Sequence, residues 1–101
     1  MYTIRFVFTK KGPMRCISHL DLMRLFMRAM RRAGLPLKIS EGFNPHPRLS
    51  IARALKLGAE SDHEEAKVVL KDMVKTDEFS LRLQHELPEG ISITHVTYSI
   101  T

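Results

Sequence analysis

The sequence has a single cysteine, no tryptophan and no long apolar run. Cys16 has no internal partner for a disulfide, which is typical of a reducing cytosol, so we expect a cytoplasmic protein. One thiol also cannot supply the roughly four thiolates that an iron–sulfur cluster needs. No apolar run approaches the ~20 residues of a membrane-spanning helix, and the N-terminal MYTIRFVFTKKG lacks a signal-peptide pattern. The sequence therefore predicts a soluble protein that does not contact a membrane.

The charge is unevenly distributed along the 101 residues. The net charge is +5 overall. Residues 1–56 contain twelve Lys and Arg against two Asp and Glu, whereas residues 57–101 contain four against nine. Such asymmetry indicates a polyanionic partner for the first half, although two solvated faces of different charge are the alternative.

The first half shows a strand followed by a helix. Alternating residues in TIRFVFT predict a strand with one face toward a core. Ser18 is a good N-cap, and Gly34 followed by Pro36 predicts the end of the helix that it begins. Apolar residues at helical spacing predict the buried stripe of this helix. They are Leu20, Met23, Phe26 or Met27, Met30 and Ala33.

The remaining pattern completes a recognisable order. Strands are predicted over residues 35–40, 49–57, 66–73 and 91–100, the last with a bulge between Ile93 and Val96. Thr76 is the predicted cap of a second helix, with Asp77 and Glu78 in its first turn. The pattern predicts an α+β, ferredoxin-like split βαβ sandwich, in which an antiparallel sheet carries both helices on one face.

Four arginines lie on the predicted first helix. Arg24, Arg28 and Arg31 are spaced i, i+4, i+7, and Arg32 lies beside them. Guanidinium groups bind phosphate through paired hydrogen bonds, so this face is a candidate anion-binding surface. The alternative is an ordinary solvated helix face.

The start of the same helix is a second candidate anion site. Arg15, Ser18, His19 and Asp21 lie where unpaired backbone N–H groups can receive a phosphate. Helix capping alone accounts for Ser18 and Asp21, however. His19, Asp21 and His46 lack the spacing of a zinc site, so we predict no metal.

The stretch SEGFNPHPRLS, residues 40–50, is the third candidate. Pro45 and Pro47 favour extended backbone at Asn44 and His46, which presents these side chains at low entropic cost. Phe43 could stack on a base or plug the loop into the core. Stiff loops are frequent sites of recognition.

Three segments resemble a known bacterial family. SHLDL, RAMRRAGLP and SEGFNPHPR, within residues 18–48, are similar to the radical-SAM-linked proteins of uncharacterised function, and ALKLG and LPEGI match more loosely. The resemblance implies a radical S-adenosylmethionine enzyme encoded nearby or fused, which would hold the iron–sulfur cluster and S-adenosylmethionine, leaving this chain without a cofactor. The length of 101 residues predicts a single α+β domain over residues 1–101. The resemblance implies longer relatives, so we expect this domain to be either whole or the N-terminal part of a longer member.

These observations give three functional hypotheses. The first is a non-catalytic module that binds RNA and presents it to the radical-SAM enzyme; its contacts would come from Arg15, Ser18, Arg24, Arg28, Arg31, Arg32, Lys38, Phe43, Asn44, His46 and Arg48. The second is a metal-free endoribonuclease in which His19 and His46 act as base and acid. The third is a protein–protein adaptor that uses the charge division.

Overall fold

The computed structural model describes residues 1–42, 45, 47–52 and 58–100. Within these residues the secondary structure follows a β-α-β-β-α-β order, with one short 3-10 helix added. The elements are β1 (Tyr2–Lys10), the 3-10 helix (Gly12–Cys16), α1 (His19–Arg32), β2 (Leu49–Ile51), β3 (Ser61–Leu70), α2 (Thr76–His85) and β4 (Ile93–Ile100).

The four strands form one antiparallel sheet in the order β2-β3-β1-β4. β1 is central, and its Phe6 lies opposite Ala66 on β3 and Val96 on β4. This is the strand order of a ferredoxin-like split βαβ arrangement. The predicted fold class is confirmed.

The phenylalanines of β1 contact both helices, which shows that both helices lie on the same face of the sheet. Phe6 and Phe8 are buried. Phe26 of α1 lies 4.8 Å from Phe8, and Phe79 of α2 lies 5.7 Å from Phe6, measured between ring centroids. Burial of such rings contributes most of the core energy of a small domain. Neighbouring side chains of β1, such as Arg5, point to the opposite face.

The boundaries of α1 agree with the prediction. The Ser18 hydroxyl accepts a hydrogen bond of 3.1 Å from the Asp21 backbone N–H, as an N-cap does. At the other end Gly34 adopts φ +69°, which favours glycine, and no further turn of helix follows.

The predicted buried stripe of α1 was partly wrong. Phe26 and Met30 are buried as expected, but the stripe continues through Leu22 and Ala29. Leu20 is 58% exposed, and Met23 and Met27 are half-buried. The flexible methionines cover the flank of the core, while Leu22, Phe26 and Ala29 at i, i+4, i+7 face it directly.

Three predicted strands differ from the structure. Residues 35–40 form isolated bridges, Leu37 with Leu70 and Ile39 with Pro47, instead of a strand. Pro36 has no N–H and interrupts any ladder there. The strand predicted over residues 49–57 contains only β2, and residues 53–57 lie outside the described part of the chain. β3 begins at Ser61, earlier than predicted, because polar residues continue the pairing with β1.

The last two elements agree in position and differ in detail. α2 begins after Lys75, which is in extended backbone without a side-chain cap, so the prediction of Thr76 as N-cap was wrong. Asp77 and Glu78 lie in the first turn as expected. The predicted bulge in β4 is confirmed, since pairing with β1 slips between Val7 and Phe8. No helix among the described residues has both the length and the apolar character needed to cross a bilayer.

Candidate nucleic-acid interface

The arginines of α1 form an exposed row on the outer side of the helix layer. Arg24, Arg28, Arg31 and Arg32 are all exposed, on the side of α1 opposite the buried Phe26. Arg31 is seven positions after Arg24, which corresponds to about 10 Å along the helix axis at 1.5 Å per residue. We call these four residues the arginine row.

Only Arg24 of the arginine row has a carboxylate partner among the residues that the structure describes. Arg24 Nη1 lies 3.4 Å from Asp21 Oδ1, and both side chains are more than half exposed. Such exposed pairs are worth about 0–1 kcal/mol and compete weakly with a ligand. Within the described ranges, Arg28, Arg31 and Arg32 form no ion pair. Three guanidinium groups are therefore available to an anion.

Helix stability accounts for only part of this row. Arg31 and Arg32 lie in the last turn of α1, where cations interact favourably with the helix dipole. Arg24 and Arg28 lie outside that turn, so the dipole gives no reason for arginine at these two positions.

The other basic residues predicted for this surface lie beyond the two ends of α1. Arg15 is exposed on the 3-10 helix that precedes α1. Beyond the other end, the Arg48 N–H donates to the Lys38 carbonyl at 3.2 Å, and the Val69 N–H donates to the Arg48 carbonyl at 3.1 Å. α1 lies over the β2 side of the sheet, which is also the side of Lys38 and Arg48. The side chains of Leu37 and Leu49 pack on the core, so alternation directs the neighbouring Lys38 and Arg48 toward the helix-free face of the sheet, away from the arginine row.

A groove borders the arginine row on the side of α2. It has a volume of about 310 Å³, and Arg28 and Arg32 line it together with Leu25, Leu87 and Glu86. The carboxylate of Glu86 makes this groove mixed in charge. An anion is therefore better placed on the outer side of the row than inside the groove.

The start of α1 is explained by capping. Ser18 accepts from the Asp21 N–H, and the Asp21 carboxylate contacts Arg24. His19 is half-buried. In the part of the chain that the structure describes, no three His, Cys, Asp or Glu side chains come close enough to hold a metal ion.

The structure bears only indirectly on the proline-rich loop, since Phe43, Asn44 and His46 lie outside the described residues. Pro47 pairs with Ile39 at the end of the sheet where β1 begins, since Leu37 of the same segment bridges to Leu70. His19 begins α1, which follows the other end of β1. The fourteen residues of α1 extend about 20 Å. His19 and Pro47 therefore lie toward opposite ends of the sheet. This placement gives no support to the hypothesis that His19 and His46 act as a paired acid and base.

Some of the positive charge of the first half is neutralised by acidic residues of the second half. The ammonium group of Lys11 forms an ion pair with Asp62, and the Gly12 N–H donates to Glu60 Oε2 at 2.7 Å. The hydrogen bond and negative charge of Asp62 raise the pKa of Lys11. Acidic residues of the second half therefore contact the 3-10 segment.

A cavity on the helix-free face of the sheet was not anticipated from the sequence. It has a volume of about 420 Å³ and is lined by Arg5, Lys67 and His95 among others. Alternation in β1 indicates that Arg5 points away from the core. The strand pairing that brings Lys67 and His95 beside it depends on the register, which the sequence does not reveal.

The fold and these surfaces define a ferredoxin-like α+β module that carries an exposed row of arginines. The chain belongs to the bacterial family described as an uncharacterized protein conserved in bacteria (DUF2344), whose model matches residues 3–99. No curated protein and no solved structure matches the chain. The family description mentions neither a radical-SAM enzyme nor RNA.

Proposed function

We propose that this protein is a non-catalytic RNA-binding module that presents RNA to a radical-SAM enzyme. The observation that carries the RNA part is the arginine row, in which Arg28, Arg31 and Arg32 are exposed and form no ion pair with a described residue.

The chemistry of the row suits a phosphate backbone. A guanidinium group is always charged, presents a planar fork of donors and loses less hydration than an ammonium group when it binds phosphate. All four cations of α1 are arginine, and its only acid is Asp21. We assign Arg15 to the positive surface before α1, and Lys38 and Arg48 to contacts with RNA that continues past the end of the helix.

Shape or base recognition is assigned to the loop that leads into β2. Phosphate contacts fix the position of a nucleic acid but do not read its sequence. Phe43, Asn44 and His46 are close in sequence to Pro47, which bridges to Ile39. We propose that these three side chains contact unpaired bases, since single-stranded RNA is read by stacking and by hydrogen bonds to base edges.

The proposed partner enzyme rests on the sequence resemblance. SHLDL, RAMRRAGLP and SEGFNPHPR are similar to radical-SAM-linked proteins, and Cys16 supplies only one of the thiolates that a cluster requires. The cluster and S-adenosylmethionine would therefore be bound by the partner, while this chain supplies RNA affinity.

Fluorescence anisotropy with labelled single-stranded and hairpin RNA tests the RNA-binding part. We expect the wild type to bind both, with an affinity that falls steeply as salt increases. The double variant Arg28→Gln/Arg31→Gln should bind about tenfold or more weakly, because each phosphate contact contributes to affinity. Lys71→Gln/Lys75→Gln removes the same charge from exposed positions outside the row and is the matched control.

Two outcomes would contradict RNA binding by α1. One is the absence of binding by the wild type at low salt. The other is an equal loss of affinity in the two double variants, which would show dependence on net charge alone.

Co-purification with the radical-SAM enzyme from the same genome tests the partner. We expect an association that forms with RNA present and weakens after nuclease treatment. An association that resists both nuclease and high salt would instead indicate a protein–protein adaptor, and no association would remove the partner from the proposal.

A further inference from the structure

The helix-free face of the sheet brings polar side chains into rows across all four strands. Arg5 on β1 lies directly opposite Lys67 on β3 and Thr97 on β4. Lys67 in turn lies opposite Ser50 on β2. Residues directly opposite each other in an antiparallel pair point to the same face, with Cβ atoms about 4.5–5.5 Å apart. One row therefore reads Ser50, Lys67, Arg5, Thr97.

A second row lies beside the first. Val7 on β1 is opposite Glu65 on β3 and His95 on β4. The Ala52 N–H donates to the Glu65 carbonyl at 2.9 Å, which continues the row past the end of β2. Ala52, Glu65, Val7 and His95 thus run parallel to the first row, about 7 Å away along the strands.

Together the two rows line a concave site. The cavity has a volume of about 420 Å³, and all eight residues line it. Small-molecule sites in proteins typically measure about 300–1,000 Å³ and combine apolar walls with a few polar groups. Val7 and Ala52 supply apolar surface here, next to the charged and hydroxyl groups.

Two cations of the site lie directly across a strand pair from each other. Arg5 and Lys67 are both exposed and lie directly opposite each other, an arrangement of like charges that destabilises a sheet. Neither of them forms an ion pair with any residue that the structure describes. By contrast, Lys11 and Arg24 each have a carboxylate partner. An anion bound between Arg5 and Lys67 would relieve this repulsion.

We propose that the helix-free face binds a small organic phosphate of nucleotide size, such as a nucleoside monophosphate. A phosphate monoester carries about −1.5 to −2 charges at pH 7. Arg5 and Lys67 together outweigh the single carboxylate of Glu65 in the site, and they lie directly opposite each other while Glu65 lies in the next row. Arg5 offers the phosphate paired hydrogen bonds and Lys67 a compact charge. The flat part of the ligand lies over Val7 and Ala52, and His95 and Thr97 offer hydrogen bonds at the edge.

Glu65 limits the ligand to one phosphate group. Glu65 is two residues from Lys67 on the same face of β3, so their Cα atoms are about 7 Å apart. A second phosphate on the far side of the ligand would meet this negative charge at close range. The site thus favours a ligand that is anionic at one end and neutral at the other.

This site is separate from the arginine row. The arginine row faces outward from the helix layer, and the two rows of the sheet face the other way. The inference does not depend on RNA binding by α1, and either proposal can fail while the other holds.

Isothermal titration calorimetry of the whole chain tests the proposal, with adenosine 5′-monophosphate, adenosine and inorganic phosphate as probes. We expect the monophosphate to bind more tightly than either of the other two. Arg5→Gln and Lys67→Gln should each weaken it about tenfold or more. Both positions are exposed, and removing one of two opposed cations should leave the melting temperature unchanged or higher. Lys75→Gln, which removes an exposed charge just before α2 and outside both sites, should bind the monophosphate as the wild type does.

Adenosine 3′,5′-bisphosphate tests the role of Glu65. It should bind more weakly than the monophosphate to the wild type, and Glu65→Gln should reduce the difference. The proposal is overturned if the wild type binds no nucleotide at millimolar concentration. It is equally overturned if Arg5→Gln and Lys67→Gln leave binding unchanged, or if inorganic phosphate binds as tightly as the nucleotide.

Discussion

The guanidinium group of Arg82 donates two hydrogen bonds to the carbonyl oxygen of Ala33, at 3.0 Å from Nε and 2.7 Å from Nη2. Nη2 also donates to the Gly34 carbonyl at 2.8 Å, and Nη1 contacts Glu78 Oε1 at 3.3 Å. The last carbonyls of a helix have no partner within the helix. A residue of α2 therefore caps the end of α1 and ties the two helices together.

Loss of this cap should destabilise the fold. Arg82→Ala should lower the free energy of unfolding by about 1–3 kcal/mol, because two carbonyls lose charge-assisted hydrogen bonds. Urea denaturation measures the change. Arg24→Ala, which removes an arginine from the exposed face of α1, should change stability by no more than about 0.5 kcal/mol. Equal effects of the two substitutions would show that Arg82 does not cap α1.

The face that α1 buries can be tested with two leucines. Leu22→Ala should cost about 2–5 kcal/mol, since Leu22 is buried in the core. Leu20→Ala should cost at most about 0.5 kcal/mol, because Leu20 is mostly exposed. Thermal unfolding of both variants gives the comparison. A larger loss of stability in Leu20→Ala than in Leu22→Ala would show that α1 buries the face predicted from the sequence.

Gly90 should tolerate no side chain. It has φ +100°, and a Cβ there would collide with the carbonyl oxygen of Lys11. Gly90→Ala should therefore cost about 2 kcal/mol or more. Gly12→Ala is the matched control, because Gly12 has φ +57° with open space around it, and should cost about 1 kcal/mol. Denaturation midpoints that fall equally in both variants would contradict the close approach at Gly90.

Arginine and lysine should differ at the arginine row. Arg28→Lys/Arg31→Lys keeps the charge but removes the planar fork, so RNA binding should weaken several-fold while its dependence on salt stays the same. Anisotropy titrations at several salt concentrations measure both quantities. An unchanged affinity would mean that the row acts only through its charge.

The fold was predictable from local patterns. The alternation of β1, the Ser18 cap and the glycine after α1 each depend on residues close in sequence, and each is confirmed. The bounds of β2 and β3 were less predictable, because pairing with a neighbouring strand decides where a polar strand begins and ends.

The candidate site was predictable where it lies on one helix. The i, i+4, i+7 spacing of Arg24, Arg28 and Arg31 fixes their common face, and the structure shows all three exposed. The pairing of Arg5 with Lys67 joins residues 62 positions apart through the register of β1 and β3. No local pattern in the sequence encodes that pairing, so the cavity could only be found in three dimensions.

The most direct test of RNA binding by α1 is an NMR titration that follows the Nε–Hε signals of the arginines as a short RNA is added. We expect the signals of Arg24, Arg28 and Arg31 to shift first, while that of Arg82, held by Ala33 and Gly34, stays in place. Shifts confined to Arg5 on the sheet, or no arginine shift at saturating RNA, would contradict RNA binding by α1.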